Sequence, residues 1–170
     1  DSTLQVTEIG RKVASIPLGV RYARMVIETY EERDGHGYID EDTLLLAIIL
    51  GEGGVLTGKS NEWMEYAPVF PPGGASDAYA ELMAYLAARS VVSDAREQVG
   101  IDDLACERVL DTYRRVRRIM RNRGLRLQKA RSNVLQRAVA AGLADQVYRR
   151  SVVGKTYRRI GSKSTHRHLP

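Results

Sequence analysis

Apolar positions recur at helical spacing through most of this chain and give way near its end to short alternating runs. Pro17 suits the first turn of a helix, and Leu18, Tyr22, Met25, Val26 and Tyr30 then share one face. The Asp34-Gly-His-Gly37 cluster predicts the end of that helix. Asp40 is placed to cap a second helix, whose apolar run Leu44–Leu50 stops at Gly51. A Gly/Pro-rich connection over residues 51–74 follows. Ser76 is then positioned to cap a third helix, with Tyr79, Leu82, Met83 and Leu86 at i, i+3, i+4 and i+7.

The fourth predicted helix runs from about Asp102 to Arg123, with Gly124 as its stop. Val109, Tyr113, Val116 and Met120 form its apolar stripe, and Arg114, Arg115, Arg117, Arg118 and Arg121 take the remaining faces. Arg114, Arg118 and Arg121 fall on one face. A fifth helix is expected to carry Leu127, Ala130, Val134, Leu135 and Ala138 and to end at Gly142. The first 125 residues therefore read as helices throughout. Beyond Gly142, residues 146–150, 156–160 and 165–169 read as short strands separated by Ser/Gly/Lys turns. The fold class that follows is mainly α: a helical bundle, then a partial antiparallel β segment that looks like the start of a second unit.

Charge divides the chain more sharply than composition does. Residues 1–110 carry nine Lys/Arg and nineteen Asp/Glu, whereas residues 111–170 carry seventeen Lys/Arg and only Asp111 and Asp145 as acids. The overall net charge of +5 conceals this split. A concentrated positive field attracts polyanions. Fourteen of the seventeen late cations are arginines, whose planar forks grip phosphate oxygens in pairs. The candidate nucleic-acid contacts are Arg114, Arg115, Arg117, Arg118, Arg121, Arg123, Arg126, Lys129, Arg149, Arg150, Lys155 and Arg158. The competing reading is that the arginines pair with acids of the first half, Glu41 or Glu81 for example.

Other chemistry is sparse. Gly53 to Ser60 satisfies the phosphate-loop pattern G-x-x-x-x-G-K-S, with Lys59 and Ser60 in the phosphate and magnesium positions. That motif works between a buried strand and a helix N-terminus. Leu44–Leu50 would have to supply the strand, while Pro68 and Pro71-Pro72 leave little room for the helix. Gly53, Gly58, Lys59 and Ser60 are therefore read as a chance match, and no nucleotide site is expected. His36, His166 and His168 lack thiol or carboxylate partners at metal-ligand spacing and read as solvated loop residues, although His166 and His168 would share one face of a strand. Cys106 reads as a small core residue, and Trp63 and Tyr66 as anchors for the Pro-rich loop. No triad, carboxylate pair or redox motif is present. A lone cysteine excludes an internal disulfide and suits a reducing, cytoplasmic setting. The longest apolar run, Leu44–Leu50, has seven residues, against the ~20 of a membrane span. The first residues also lack a secretion-signal pattern.

Several segments, in order, resemble the C-terminal accessory region of DEAH-box ATP-dependent RNA helicases. Val6-Thr7-Glu-Ile-Gly10-Arg11-Lys-Val-Ala14-Ser-Ile-Pro17-Leu18 is similar to the family's L-T-x-x-G-x-x-(M/L)-A-x-(L/F)-P-L, and Ala23-Arg24-Met25 to its A-K-M. Asp42 to Leu50 resembles its apolar helix containing a small residue. Ser76-Asp77-Ala-Tyr-Ala-Glu-Leu82 resembles S-D-H-x-x-x-L, with Ala78 in place of His. Cys106 to Leu110 followed by Arg118 resembles C-x-x-x-(F/L)-L and the family's Arg-bearing helix. Leu135 to Tyr148 resembles the start of its OB-fold, with Asp145 and Gln146 straddling the usual Asn. The Gly/Pro-rich insertion at 51–74 departs from the pattern.

The resemblance implies three segments: residues 1–16 as the end of a winged helix, 17–125 as a helical "ratchet" domain, and 126–170 as a linking helix with a truncated OB-fold start. It implies an accessory region that lines a single-strand channel and couples ATP-driven motion to strand translocation. On this reading the protein hydrolyses ATP with magnesium in RecA-like motor domains outside this segment, which itself holds no catalytic site, cofactor or metal. The expected partners are single-stranded RNA, with DNA as an alternative, and the protein's own RecA-like and winged-helix domains. A self-contained RNA- or ribosome-binding module is the runner-up. A small phosphate-loop NTPase ranks third.

Overall fold

The computed structural model describes residues 5–57, 77–90, 96, 100–129, 134–146, 148–150, 157–159 and 166–167. Helices dominate, and small sheets complete the fold. Helix α1 (Glu8–Ala14) begins where the Thr7 hydroxyl accepts the Gly10 N–H at 3.1 Å. Helix α2 (Val20–Glu28) follows Gly19 and buries Ala23, Met25, Val26 and Ile27, so Leu18 and Tyr30 flank the helix rather than belong to it.

Strands β1 (Glu31–Arg33) and β2 (His36–Asp40) then form an antiparallel hairpin. This corrects the expectation of helices throughout residues 1–125. Asp34 and Gly35 both have positive φ, 52° and 71°, which is the backbone a two-residue turn between twisted strands requires. His36 is accordingly a strand residue, not a loop residue.

Helix α3 (Glu41–Gly51) starts as expected at Asp40, whose Oδ2 accepts the Thr43 N–H at 2.7 Å and the Thr43 hydroxyl at 2.6 Å. Every residue from Thr43 to Ile49 is buried, because α3 is covered on all sides. It packs against α2, β2, α4 (Asp77–Ala88), α5 (Asp103–Asn122) and α6 (Val134–Gly142). Each large aliphatic side chain enclosed this way contributes ~1.5–3 kcal/mol of transfer free energy. The core therefore centres on the longest apolar run in the chain.

Helix α5 matches its predicted limits. Asp102 caps it by accepting the Ala105 N–H at 2.9 Å, and Gly124 leaves it at φ 76°. Its start is also tied to the segment after α3, through Asp102 N–H to the Val55 carbonyl at 2.8 Å and Thr57 N–H to the Gly100 carbonyl at 2.9 Å.

Leu127 belongs to strand β3 (Leu125–Gln128) and not to the fifth predicted helix, which begins only at Val134. Strand β3 pairs parallel to β2, giving the order β1-β2-β3, and it spans position 126, where the linking segment was expected to start. The C-terminal strands β4 (Tyr148–Arg150), β5 (Tyr157–Arg159) and β6 (His166–Arg167) form the antiparallel segment that the sequence predicts. Ser76, Trp63, Tyr66, Ala130 and His168 lie outside the described residues.

Candidate nucleic-acid interface

Helix α5 sorts its side chains by period. Ala105, Val109, Val116 and Met120 are buried against the core, and Tyr113 is half-buried beside them. Burial pushes the Tyr113 phenol up to about 12, assisted by its hydrogen bond to the Glu41 carboxylate. With that stripe fixed inward, Arg114, Arg118 and Arg121 project from the opposite side and are exposed. Arg115 and Arg117 are exposed on the flanks.

The acids proposed as alternative partners are occupied elsewhere. Glu41 takes the Tyr113 hydroxyl, and Glu81 accepts the Val55 and Leu56 N–H groups at 2.6 and 3.2 Å. Among the described residues, the only acid paired with these five arginines is Asp111, 3.6 Å from Arg114 on the same helix. A pair this exposed contributes ~0–1 kcal/mol at most. The arginine face is thus carried by a helix packed on the core and is exposed, with no further acid against it among the described residues.

The remaining candidates divide. Arg123 is turned back to donate to the Ser15 carbonyl, which ties the end of α5 to α1. Arg126 lies on β3, with Nη2 2.9 Å from His36 Nε2 and Nη1 3.4 Å from the Tyr38 hydroxyl. Lys129 is exposed at the edge of a small surface depression lined also by Glu31, Arg33 and Asp40. Arg149 and Arg158 are cross-strand partners in β4 and β5, with Arg150 next to them. Lys155 lies outside the described residues. The structure therefore brings together the α5 arginines, and it assigns Arg123 and Arg126 different surroundings.

Sequence reasoning missed Arg33, His36 and Tyr38, which join Arg126 on one sheet. The available signal was the Asp34-Gly35 turn pair between two short strands.

The phosphate-loop match has helix α3 immediately before it, where such a loop follows a strand. Gly58, Lys59 and Ser60 lie outside the described residues. Among the described residues, no group of three or more His, Cys, Asp or Glu side chains could hold a metal ion. No helix among them is long and apolar enough to cross a membrane. Burial raises the Cys106 thiol to about 11, which suits a packed core residue and not a nucleophile. No protein-family model matches the sequence, and no curated protein matches it.

Proposed function

We propose that this chain is the nucleic-acid-binding accessory region of an ATP-dependent, DEAH-box-like RNA helicase. In this role it grips the backbone of single-stranded RNA while motor domains elsewhere in the protein hydrolyse ATP. The observation that carries the reading is the Arg114–Arg118–Arg121 face of α5, opposite the core and, among the described residues, paired with no acid beyond Asp111. Guanidinium groups on a fixed helix present paired donors to successive phosphates. Backbone contacts of this kind give affinity with little sequence preference. The ordered motif resemblance supplies the helicase context.

The test is the triple Arg114→Gln, Arg118→Gln, Arg121→Gln variant. Its melting temperature should stay near that of the parent chain, and its affinity for single-stranded RNA should fall at least tenfold. In the full helicase the same change should lower RNA-stimulated ATPase and unwinding. Undiminished RNA affinity in a stably folded variant would remove these residues from the interface. RNA binding by a parent protein that carries no RecA-like motor motifs would point to a self-contained module instead.

A further inference from the structure

The sheet formed by β1, β2 and β3 has one face on the core and one facing out. Ile39 is buried, and Gly37 packs against Tyr30 and Leu125, so the odd-numbered positions of β2 point inward. The register pairs Glu31 with Tyr38, Arg33 with His36, and Tyr38 with Arg126. Side chains at paired positions share a face. The outward face therefore sets two rings, Tyr38 and His36, between Arg33 and Arg126.

These groups are arranged in layers. The Arg33 guanidinium lies over the Tyr38 ring, 4.6 Å from its centroid, and also donates to the Gln128 side-chain carbonyl. Arg126 reaches His36 and the Tyr38 hydroxyl from the other side. Because Arg126 is only a donor, the His36 nitrogen beside it accepts, and the ring is held against the sheet. Two of the five Arg126 N–H groups suffice for these contacts, which leaves donors for an oxyanion. The acid paired with Tyr38, Glu31, is engaged by Gln128 at 3.4 Å and by Arg33 at 3.8 Å.

We propose that this sheet face is a base-stacking platform for single-stranded nucleic acid, with a nucleobase resting on the Arg33–Tyr38 layer and Arg126 holding the adjoining phosphate. Unstacked bases pack on aromatic rings and on guanidinium planes, and sheets bearing central aromatics are well suited to this. The two guanidinium groups complement the charge of the strand. Arg126 follows Arg121 of the helical face closely in the chain, across the Gly124 turn. This inference rests on the RNA-binding reading and adds base contacts that α5 does not supply.

The test compares a short oligoadenylate with an abasic ribose-phosphate oligomer of equal length, each titrated against the whole chain. The parent protein should prefer the oligoadenylate about tenfold, the scale of one stacked base. Tyr38→Leu and Arg33→Lys should bring that preference close to one, and Tyr38→Phe should retain it. Arg33→Lys keeps the charge and loses the plane, and it changes an exposed side chain, so it decides the matter even if Tyr38→Leu fails to fold. Equal binding of the two oligomers by the parent, or a preference undisturbed in Arg33→Lys, overturns the platform while leaving backbone binding in place. Binding of neither oligomer overturns both readings.

Discussion

Glu81 on α4 accepts the backbone N–H of Val55 at 2.6 Å, and the same oxygen accepts that of Leu56 at 3.2 Å. One carboxylate thereby fastens the segment leaving α3, and Val55 is buried beneath it. Glu81→Ala should leave those N–H groups partly enclosed without an acceptor. The expected loss is ~1–3 kcal/mol, the range for unpaired buried donors and charged hydrogen bonds. Glu81→Gln should recover much of it. Urea denaturation of both variants gives the comparison, and equal midpoints for Glu81→Ala and the parent would exclude a structural role for this contact.

Gly142 closes α6 directly against α2. A Cβ at this position would stand 2.2 Å from Met25 Cγ and 2.5 Å from the Arg21 carbonyl oxygen. The side chain could shift, but the carbonyl belongs to helix backbone. Gly142→Ala should therefore separate the two helices and destabilise the fold by ~1–3 kcal/mol, as overpacking does. Thermal unfolding measures the loss. Ala140→Ser, at an exposed position of the same helix, is the control for an atom added away from the contact. A Gly142→Ala variant as stable as the parent would show that α6 is free to slide.

The elements legible in the sequence are those whose signals are local. Helix α5 has a cap at Asp102, a stop at Gly124 and an uninterrupted apolar stripe between them, and its limits follow. Helix α3 is legible for the same reason, from Asp40 to Gly51. The hairpin was not, because Glu31-Glu-Arg33 carries no apolar alternation and only its turn residues betray it. Strand β3 depends on parallel pairing with residues almost ninety positions earlier, at Gly37↔Leu125 through Asp40↔Gln128. No local period encodes that partner. The arginine face was readable from helical spacing alone, whereas the sheet platform required the register of three strands.

Stability should fall in alkaline solution through buried Cys106 and half-buried Tyr113. Burial raises the Cys106 thiol from 9.0 to about 11 and, with the Glu41 hydrogen bond, the Tyr113 phenol from 10.0 to about 12. In the unfolded chain both groups lose their protons at the lower values, so between these limits the folded state binds more protons. Stability then decreases as pH rises. The contribution is intact below about pH 9.0 and declines toward about pH 12. Urea midpoints measured across that interval should drop, and Cys106→Ala should flatten the lower part of the slope. A midpoint constant between pH 9 and 11 would contradict the burial of the thiol.

Salt dependence tests the proposed phosphate contacts of α5. Binding to a single strand releases counterions, and the slope of log K against log salt is about −0.7 for each phosphate neutralised. If Arg114, Arg118 and Arg121 each engage one phosphate, replacing all three with Gln should make the slope shallower by about 2. Loss of affinity alone would not establish this, since a distorted helix would also bind weakly. A change in slope reports lost ionic contacts specifically. Replacing Arg123, which is committed to the Ser15 carbonyl, should lower stability and leave the slope nearly unchanged. An Arg123→Gln slope shifted as much as one third of the triple variant's would place that residue on the strand as well.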